Sequence, residues 1–457
     1  MNFPKNVFHA YDIRGLAETE LSADLAEAVG RGFVEFLKEK KVKLARRKIV
    51  VGRDMRLSSP ELETALIRGL TSAGAEVVKI GLASTPLFNF ACAHYPEHAG
   101  GIMVTASHNP GGYNGFKLTL ENGLPIGQSS GMDQLRDLVL ANKFSNATTP
   151  GQVTEQDVLP DYLERLFSLV PPAGIKPLKI VVDAGNGMAK VTVPEMLKKL
   201  PVQAEYLYLE PDGNFPNHEA NPLKVETLKN LQAKVVATGA DFGLALDGDC
   251  DRLGLVDETG EIVEASYVGA LVGLEVLKKH PGSLMLYDLR SSAIVAEIWE
   301  ANGASTKKCI VGHANIKKAM KDTGASFASE LSEHLYFQDM YDVESSDLAL
   351  LYFCQLLSES GKKLSALVKP LKKYWHSGEI NFKTAAKEEV FQALEEKYGQ
   401  EAVETSKMDG LWLGFDWGWF NVRASNTEPV LRLNLEAKTK ETMQAKLEEI
   451  TKLINSF

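Results

Sequence analysis

Three β-branched runs, each leading through a polar turn towards a helical pattern, constrain this chain more than any other feature. Lys48-Ile49-Val50-Val51-Gly52-Arg53-Asp54 is the first, Lys179-Ile180-Val181-Val182-Asp183-Ala184-Gly185 the second, and Leu284-Met285-Leu286-Tyr287-Asp288-Leu289-Arg290 a looser third. Helical patterns follow, for example Pro60 to Gly74 and Ala293 to Ala301. A strand–turn–helix unit recurring at roughly domain spacing points to three related α/β domains with mixed sheets. Helices are expected over 21–41, 60–74 and 158–169, and strands over 48–52, 76–80 and 242–246. The last stretch has a different texture: a helical segment at 386–398, the hairpin turn signal Asp409-Gly410, alternating strands through Leu435 and a helix at 439–454. It reads as a smaller α+β domain. Trp412, Trp417 and Trp419 read as packing on a strand face, because nothing basic interleaves them as a nucleic-acid surface requires. With the polar stretch 142–151 as a linker, the α/β domains span 1–150, 151–252 and 253–366, and the α+β domain 367–457.

Composition excludes several partner classes. The chain has 457 residues, enough for about three domains at the usual size, and 44% of them are hydrophobic. Its net charge of -10 argues against nucleic acid, which calls for a broad basic surface. Cys92, Cys250, Cys309 and Cys354 are far apart, which suits a reducing compartment and gives no zinc site. The start lacks a basic stretch followed by an apolar one, and no apolar run approaches membrane-spanning length. The expectation is a cytoplasmic protein without membrane or nucleic-acid partners, as a monomer or homodimer.

Four polar loops carry the chemistry. Thr105-Ala106-Ser107-His108-Asn109-Pro110 follows the apolar run Gly101-Ile102-Met103-Val104, so Ser107 sits on a stiff turn past a strand end. Ser107 is a candidate nucleophile or phosphate carrier, with His108 and Lys117 near in sequence. Asp247-Gly248-Asp249-Cys250-Asp251-Arg252 follows the strand Phe242 to Leu246. Carboxylates at alternate positions repel one another unless a cation sits among them, and an all-oxygen set suits Mg²⁺, Mn²⁺ or Ca²⁺. An EF-hand is excluded, because Arg252 stands where that loop needs glycine and a strand leads in. Mg²⁺ with a position open to a phosphate oxygen is preferred, and Arg252 could clamp that phosphate.

Ser329-Glu330-Leu331-Ser332-Glu333-His334 places carboxylate, hydroxyl and imidazole groups together. On an extended segment Glu330 and Ser332 would face the same way, as adjacent sugar hydroxyls require. Arg423-Ala424-Ser425-Asn426-Thr427-Glu428-Pro429 offers charged and neutral donors suited to a phosphate dianion. Tyr11-Asp12-Ile13-Arg14-Gly15 and Gly312-His313 carry no signal by themselves. A serine, a metal loop, a sugar-like loop and a phosphate loop from separate segments suggest a central cleft and phosphoryl transfer on a phosphosugar.

These motifs, in this order along the whole chain, resemble the α-D-phosphohexomutases, most closely the bacterial phosphomannomutase/phosphoglucomutase branch. The Ser107 hexapeptide is identical to that family's phosphoserine loop. The resemblance implies that Ser107 carries the phosphate and binds Mg²⁺ together with Asp247, Asp249 and Asp251. It implies that phosphate passes to a hexose 1-phosphate, giving a 1,6-bisphosphosugar intermediate and then hexose 6-phosphate. His108, Lys117 and Arg252 would serve the transfer, with Lys117 a proton shuttle. Tyr11, Arg14, Arg290, Gly312, His313, Glu330, Ser332, His334, Arg423, Ser425, Asn426 and Thr427 would bind the substrate.

The chain departs from the family pattern at Cys250, where DGDGDR has glycine, and at Ser329 and Glu333 in the GExSGH loop. If position 250 needs a positive φ, cysteine there costs on the order of 1 kcal/mol. Asn426 favours mannose and glucose phosphates over glucosamine phosphate, whose branch resembles RxSGTEP. The alternatives are a phosphoglucosamine mutase and a catalytically inactive phosphosugar-binding protein.

Overall fold

The computed structural model describes residues 3–42, 44, 47–424 and 430–457. Two compact units are present, Met1–Glu264 with Ser332–Ser365 and Ala265–Leu331 with Ala366–Phe457. Each β-branched run becomes a strand with parallel neighbours on both sides. Lys48–Arg53 lies between Glu76–Leu82 and His98–Val104. Leu178–Asp183 lies between Val202–Leu207 and Phe242–Leu246. Leu284–Asp288 lies between Ser305–Cys309 and Phe327–Ser329. Consecutive side chains of these runs, Val50 with Val51, Val181 with Val182 and Met285 with Leu286, are all buried. Consecutive residues point to opposite faces, so the strands are covered on both sides, as parallel sheets are.

In the first unit, Tyr113–Leu120 pairs antiparallel with His98–Val104 and with Ile13–Leu16. At the other edge Val153–Glu155 pairs with Glu76–Leu82, so this sheet passes residue 150. The 142–151 stretch has no regular structure over most of its length, but it is tied down: Ala147 and Gly151 N–H groups donate to Ser72 and Thr71 carbonyls. Ser22 Oγ accepts from Leu25 N and starts the first helix at Ala23 rather than at 21. That helix, Ala23–Glu39, packs closely on Ser59–Ser72. A Cβ at Gly30 would lie 2.5 Å from Leu66 O, and one at Gly69 would lie 2.1 Å from Glu27 O. The second sheet continues through the antiparallel strands Leu253–Asp257 and Ile262–Val263, beyond the boundary expected at 252. Leu335–Phe337 and Val343–Glu344 form an antiparallel pair, followed by the buried helix Ser346–Ser360.

In the second unit, helix Ala265–Lys279 meets Ala293–Ala301 around Trp299, whose Nε1 donates to Ala270 O at 3.1 Å. Gly273 is required there, because a Cβ would stand 2.2 Å from that nitrogen. The C-terminal domain is an antiparallel sheet in which Val430–Ala437 pairs with Gly418–Ala424, Ile380–Lys383 and Trp375–His376. Gly418–Ala424 pairs in turn with Leu411–Phe415, and that strand with Glu404–Ser406. Helices Lys387–Tyr398 and Lys440–Ile454 complete its core. Gly410 turns the hairpin between Glu404–Ser406 and Leu411–Phe415 at φ +69°. Trp412 and Trp419 stack with centroids 6.0 Å apart, and Trp417 stacks on Phe415, so all three pack as expected. Among the described residues no helix is long and apolar enough to cross a membrane.

Candidate active site

Ser107 follows strand His98–Val104 with φ +50°, and its side chain is almost wholly buried. One side chain holds this strained turn. Buried Arg56 donates through Nη2 to Ser107 O at 2.8 Å and to Asn109 O at 2.6 Å. Through Nη1 it donates to Pro110 O at 2.8 Å and Tyr113 O at 2.9 Å. Asp54 accepts from its Nε at 3.0 Å and keeps the charge paired. Arg14 reaches the same turn, donating through Nη1 to Asn109 Oδ1 at 3.0 Å, and is paired with Asp12. Tyr11 lies half-buried just before Ile13–Leu16.

Ser107 Oγ donates to Asp247 Oδ2 at 2.8 Å and lies 3.2 Å from His108 Nδ1. Burial, and then the charges of Arg252 and Arg14, hold the His108 imidazole well below its ordinary pKa. Asp247 closes its own loop, its Oδ1 accepting from Asp251 N at 3.0 Å and Arg252 N at 3.2 Å. Gly248 lets the two loops touch, since a Cβ there would stand 2.5 Å from Ser107 O.

The donor set fits a divalent cation. Asp247, Asp249 and Asp251 each present an oxygen within 4.8 Å of the others, and all three are buried. Burial and the two neighbouring aspartates push Asp247 well above the usual carboxylate range. Asp249 Oδ1 is buried without a hydrogen-bond partner. Lys117 Nζ stands in as a cation, 2.6 Å from both Asp249 Oδ2 and Asp251 Oδ2. Burial opposes charge on Lys117, but these carboxylates outweigh it and raise its pKa. Asp251 Oδ1 lies 3.2 Å from His334 Nε2, whose Nδ1 lies 2.9 Å from Ser332 Oγ.

Cys250 adopts φ +61°, the conformation in which glycine would be free of strain. The strain of about 1–2 kcal/mol is offset by burial of the thiol side chain and by the lower unfolded-state entropy of cysteine. Cys250→Gly is therefore expected to change stability by less than about 1 kcal/mol. Calorimetric unfolding checks this; a loss above about 3 kcal/mol would contradict the balance.

The extended geometry expected for Glu330 to Ser332 is corrected by the structure. Phe327–Ser329 ends before it, Leu331 and Ser332 form a turn, and Glu333 takes φ +70°. The two side chains therefore do not share a strand face. Glu333 is buried beside Gly254, with Oε2 unpartnered. Burial pushes its carboxyl up to about 7, against the pull of Arg252 and His334. A raised carboxyl favours the folded state at low pH, and that advantage is lost as pH rises through about 7. Glu333→Gln is expected to be more stable than wild type at pH 8, by roughly 1–3 kcal/mol, and to lose this advantage by about pH 5. Urea midpoints at the two pH values check it.

In the second unit Arg290 follows Leu284–Asp288. Its N donates to Asp288 Oδ1 and its Nη2 to Asp288 Oδ2, both at 2.7 Å. Glu330 Oε1 lies 3.4 Å from Arg290 Nη2 and accepts from Gly312 N at 3.0 Å. Gly312, at φ +110°, precedes helix His313–Thr323. Arg423, at the end of Gly418–Ala424, is buried and pairs with Glu379 at 3.1 Å. Ser425, Asn426 and Thr427 lie outside the described residues.

The structure thus gathers Ser107, His108, Lys117, Arg14, Asp247, Asp249, Asp251 and His334 in the first unit. In the second it gathers Arg290, Gly312 and Glu330, with Arg423 joined through Glu379, which also lies 3.6 Å from Arg290. Sequence reasoning missed Arg56, Asp288, Glu379 and Thr85, whose Oγ1 donates to Asp249 Oδ2 at 2.6 Å. The Asp54-Met55-Arg56 turn following a buried strand was the available signal for Arg56.

Comparison with known proteins agrees with this architecture. The phosphoglucomutase/phosphomannomutase alpha/beta/alpha domains I, II and III match residues 5–146, 160–260 and 264–374, and the C-terminal domain of that family matches 379–453. A protein named "Phosphohexose mutases" from Xanthomonas campestris is 38% identical over 449 residues, 98% of each chain. A phosphomannomutase from Vibrio cholerae is 38% identical over 459 residues, again covering 98% of each chain. The crystal structure of a phosphoglucomutase/phosphomannomutase family protein from Burkholderia thailandensis superposes with a TM-score of 0.91 at 32% identity, covering 99% of this chain and 98% of that one. The chain belongs to the phosphoglucomutase/phosphomannomutase family and is a phosphohexomutase, an isomerase with three α/β domains of mixed sheets and a C-terminal antiparallel-sheet domain.

Proposed function

We propose that the protein interconverts the 1- and 6-phosphates of mannose, and also of glucose, through a phosphate carried on Ser107. The observation that supports this most is Ser107 Oγ at 2.8 Å from Asp247, beside Asp249 and Asp251. The hydroxyl at position 6 of a hexose 1-phosphate would attack the phosphorus on Ser107. A new P–O bond forms to the sugar, the P–Oγ bond breaks, and the hydroxyl proton passes to a base. In the second half the intermediate turns round, and Ser107 Oγ gives up its proton and attacks the phosphorus at position 1. The bond from that phosphorus to the sugar O1 breaks, O1 takes up a proton, and hexose 6-phosphate leaves. The 1,6-bisphosphosugar is thus intermediate and activator. Asp247, Asp249 and Asp251, with an oxygen on Ser107, would hold Mg²⁺, which when bound withdraws charge from the phosphoryl group.

Lys117 would handle the proton at the sugar hydroxyl. Its two carboxylate partners keep it protonated, so it acts as a base only when they are engaged elsewhere. His108 is neutral and can accept or donate a hydrogen bond beside Ser107 without adding charge. Arg252 and Arg14 would offset phosphate charge there. Tyr11, Ser332, His334, Glu330, Gly312 and His313 would bind the sugar. Arg290, Arg423, Ser425, Asn426 and Thr427 would bind the phosphate that is not reacting. The protein would act in the cytoplasm on free phosphosugars.

A coupled assay across the 1-phosphates of mannose, glucose and glucosamine tests the preference. Turnover is expected on mannose and glucose phosphates; faster turnover of glucosamine phosphate overturns it.

A further inference from the structure

Three guanidinium groups in the second unit converge on one carboxylate. Arg423 Nη2 lies 3.1 Å from Glu379 Oε2, Arg432 Nη1 3.2 Å from Glu379 Oε1, and Arg290 Nη1 3.6 Å from Glu379 Oε2. Arg290 also holds Asp288 at 2.7 Å and Glu330 at 3.4 Å. Burial favours a protonated Glu379, but the arginines outweigh it and hold it below its ordinary pKa, so it is a full anion. Among the described residues, these arginines thus face the carboxylates of Glu379, Asp288 and Glu330. Asp409, which also feels the charges of Arg423 and Arg290, is shifted by burial towards its neutral form.

The geometry leaves donors over on Arg290 and Arg423. Nε of Arg290 and Nε of Arg423 are buried without a hydrogen-bond partner, on residues only 7% and 4% exposed. An unmade buried hydrogen bond costs roughly 1–3 kcal/mol. These arginines suit an acceptor with more oxygens than one carboxylate presents, and a phosphate dianion is such a group.

Exposure decides which carboxylate can give way. The Asp288 side chain is 0% exposed and that of Glu330 3%, and both are tied to backbone N–H groups, of Arg290 and Leu331 for Asp288 and of Gly312 for Glu330. Glu379 is 27% exposed and is held by guanidinium groups. It lies on the Ser377–Glu379 break between Trp375–His376 and Ile380–Lys383, where Gly378 takes φ +70°. Its backbone can adjust there with little loss of ladder pairing.

We infer that Glu379 is an internal counter-anion that occupies the phosphate's place on Arg290, Arg423 and Arg432, and so sets how tightly and selectively the phosphosugar is held. This rests on the proposed reading of Arg290 and Arg423 as phosphate-binding. A doubly charged phosphate can displace a carboxylate from three guanidinium groups, whereas an uncharged sugar cannot. Glu379 is thus a positioning residue with a specificity role. It keeps the arginines converged, discriminates against unphosphorylated sugars and keeps the phosphate releasable.

Titration calorimetry with inorganic phosphate, in phosphate-free buffer, tests this on the full-length protein. Glu379→Gln is expected to bind phosphate at least tenfold more tightly than wild type. Glu379→Asp, which keeps the charge on a shorter arm, should tighten it less. In turnover, Glu379→Gln should lower both KM for hexose 1-phosphate and kcat, because product leaves more slowly; a merely structural role would not lower KM. Equal phosphate affinity in all three proteins, or weaker binding in both variants, overturns the inference. Arg423→Gln separates the underlying reading: if it binds phosphate as wild type does, the arginines are not the phosphate site. If it binds more weakly while Glu379→Gln shows no gain, only the counter-anion role fails.

Discussion

Ser107→Ala is expected to lower kcat/KM for hexose 1-phosphate by roughly four to six orders of magnitude, with little change in stability. The hydroxyl is the atom that would carry the phosphate, and no other described serine or threonine hydroxyl donates to Asp247. Alanine removes Oγ while the backbone stays held by Arg56 through Ser107 O, Asn109 O and Pro110 O. The turn should therefore keep its shape. Mass spectrometry of the purified protein should find phosphate on the peptide containing Ser107 in wild type and none in the variant. A variant that retains more than about one hundredth of the turnover would exclude a phosphoserine route.

Removing divalent cations is expected to have the next largest effect. Dialysis against EDTA should reduce turnover by at least about a hundredfold, with recovery on adding Mg²⁺. Asp249→Asn should do the same without recovery. The argument is electrostatic: Asp247, Asp249 and Asp251 are buried side by side, and Lys117 supplies one positive charge to them. A cation that binds only the folded state also stabilises it, by about 2.7 kcal/mol at a concentration one hundred times its Kd. Calorimetric unfolding should accordingly show a higher Tm with Mg²⁺ than with EDTA in wild type, and a smaller difference in Asp249→Asn. Unchanged turnover in EDTA would exclude the metal assignment.

Glu333 and Cys250 show how a loop can depart from a family pattern and still hold its shape. Both adopt positive φ, where glycine is the residue without strain. Each side chain is buried against its own unit, Cys250 in the loop whose carbonyl accepts from Ser346 Oγ at 2.6 Å and Glu333 over Gly254. An ordinary glutamate at position 333 would add negative charge near an anionic substrate. Its raised pKa means that it carries much less charge near neutral pH than a surface glutamate would.

Local features of this chain are legible in its residues alone. A β-branched run shows its burial in its own residues, so the strands at 48, 178 and 284, and the helices after the first and third of them, could be placed to within a few residues. Asp247, Asp249 and Asp251 lie on one short loop, so their chemistry is visible without knowing where the loop goes. The turn at Leu331 and Ser332 escaped detection because the φ +70° of Glu333 has no glycine to announce it.

Which distant residues serve those loops becomes visible only in the folded chain. Arg56 reaches the Ser107 turn from the end of the neighbouring strand, Thr85 and Lys117 reach Asp249 from other strands and helices, and Glu379 gathers Arg290, Arg423 and Arg432. Each is an ordinary polar residue in its own sequence neighbourhood. Its role comes from a charge or hydrogen-bond partner that must be matched once water is removed, and that requirement arises only when the chain has folded.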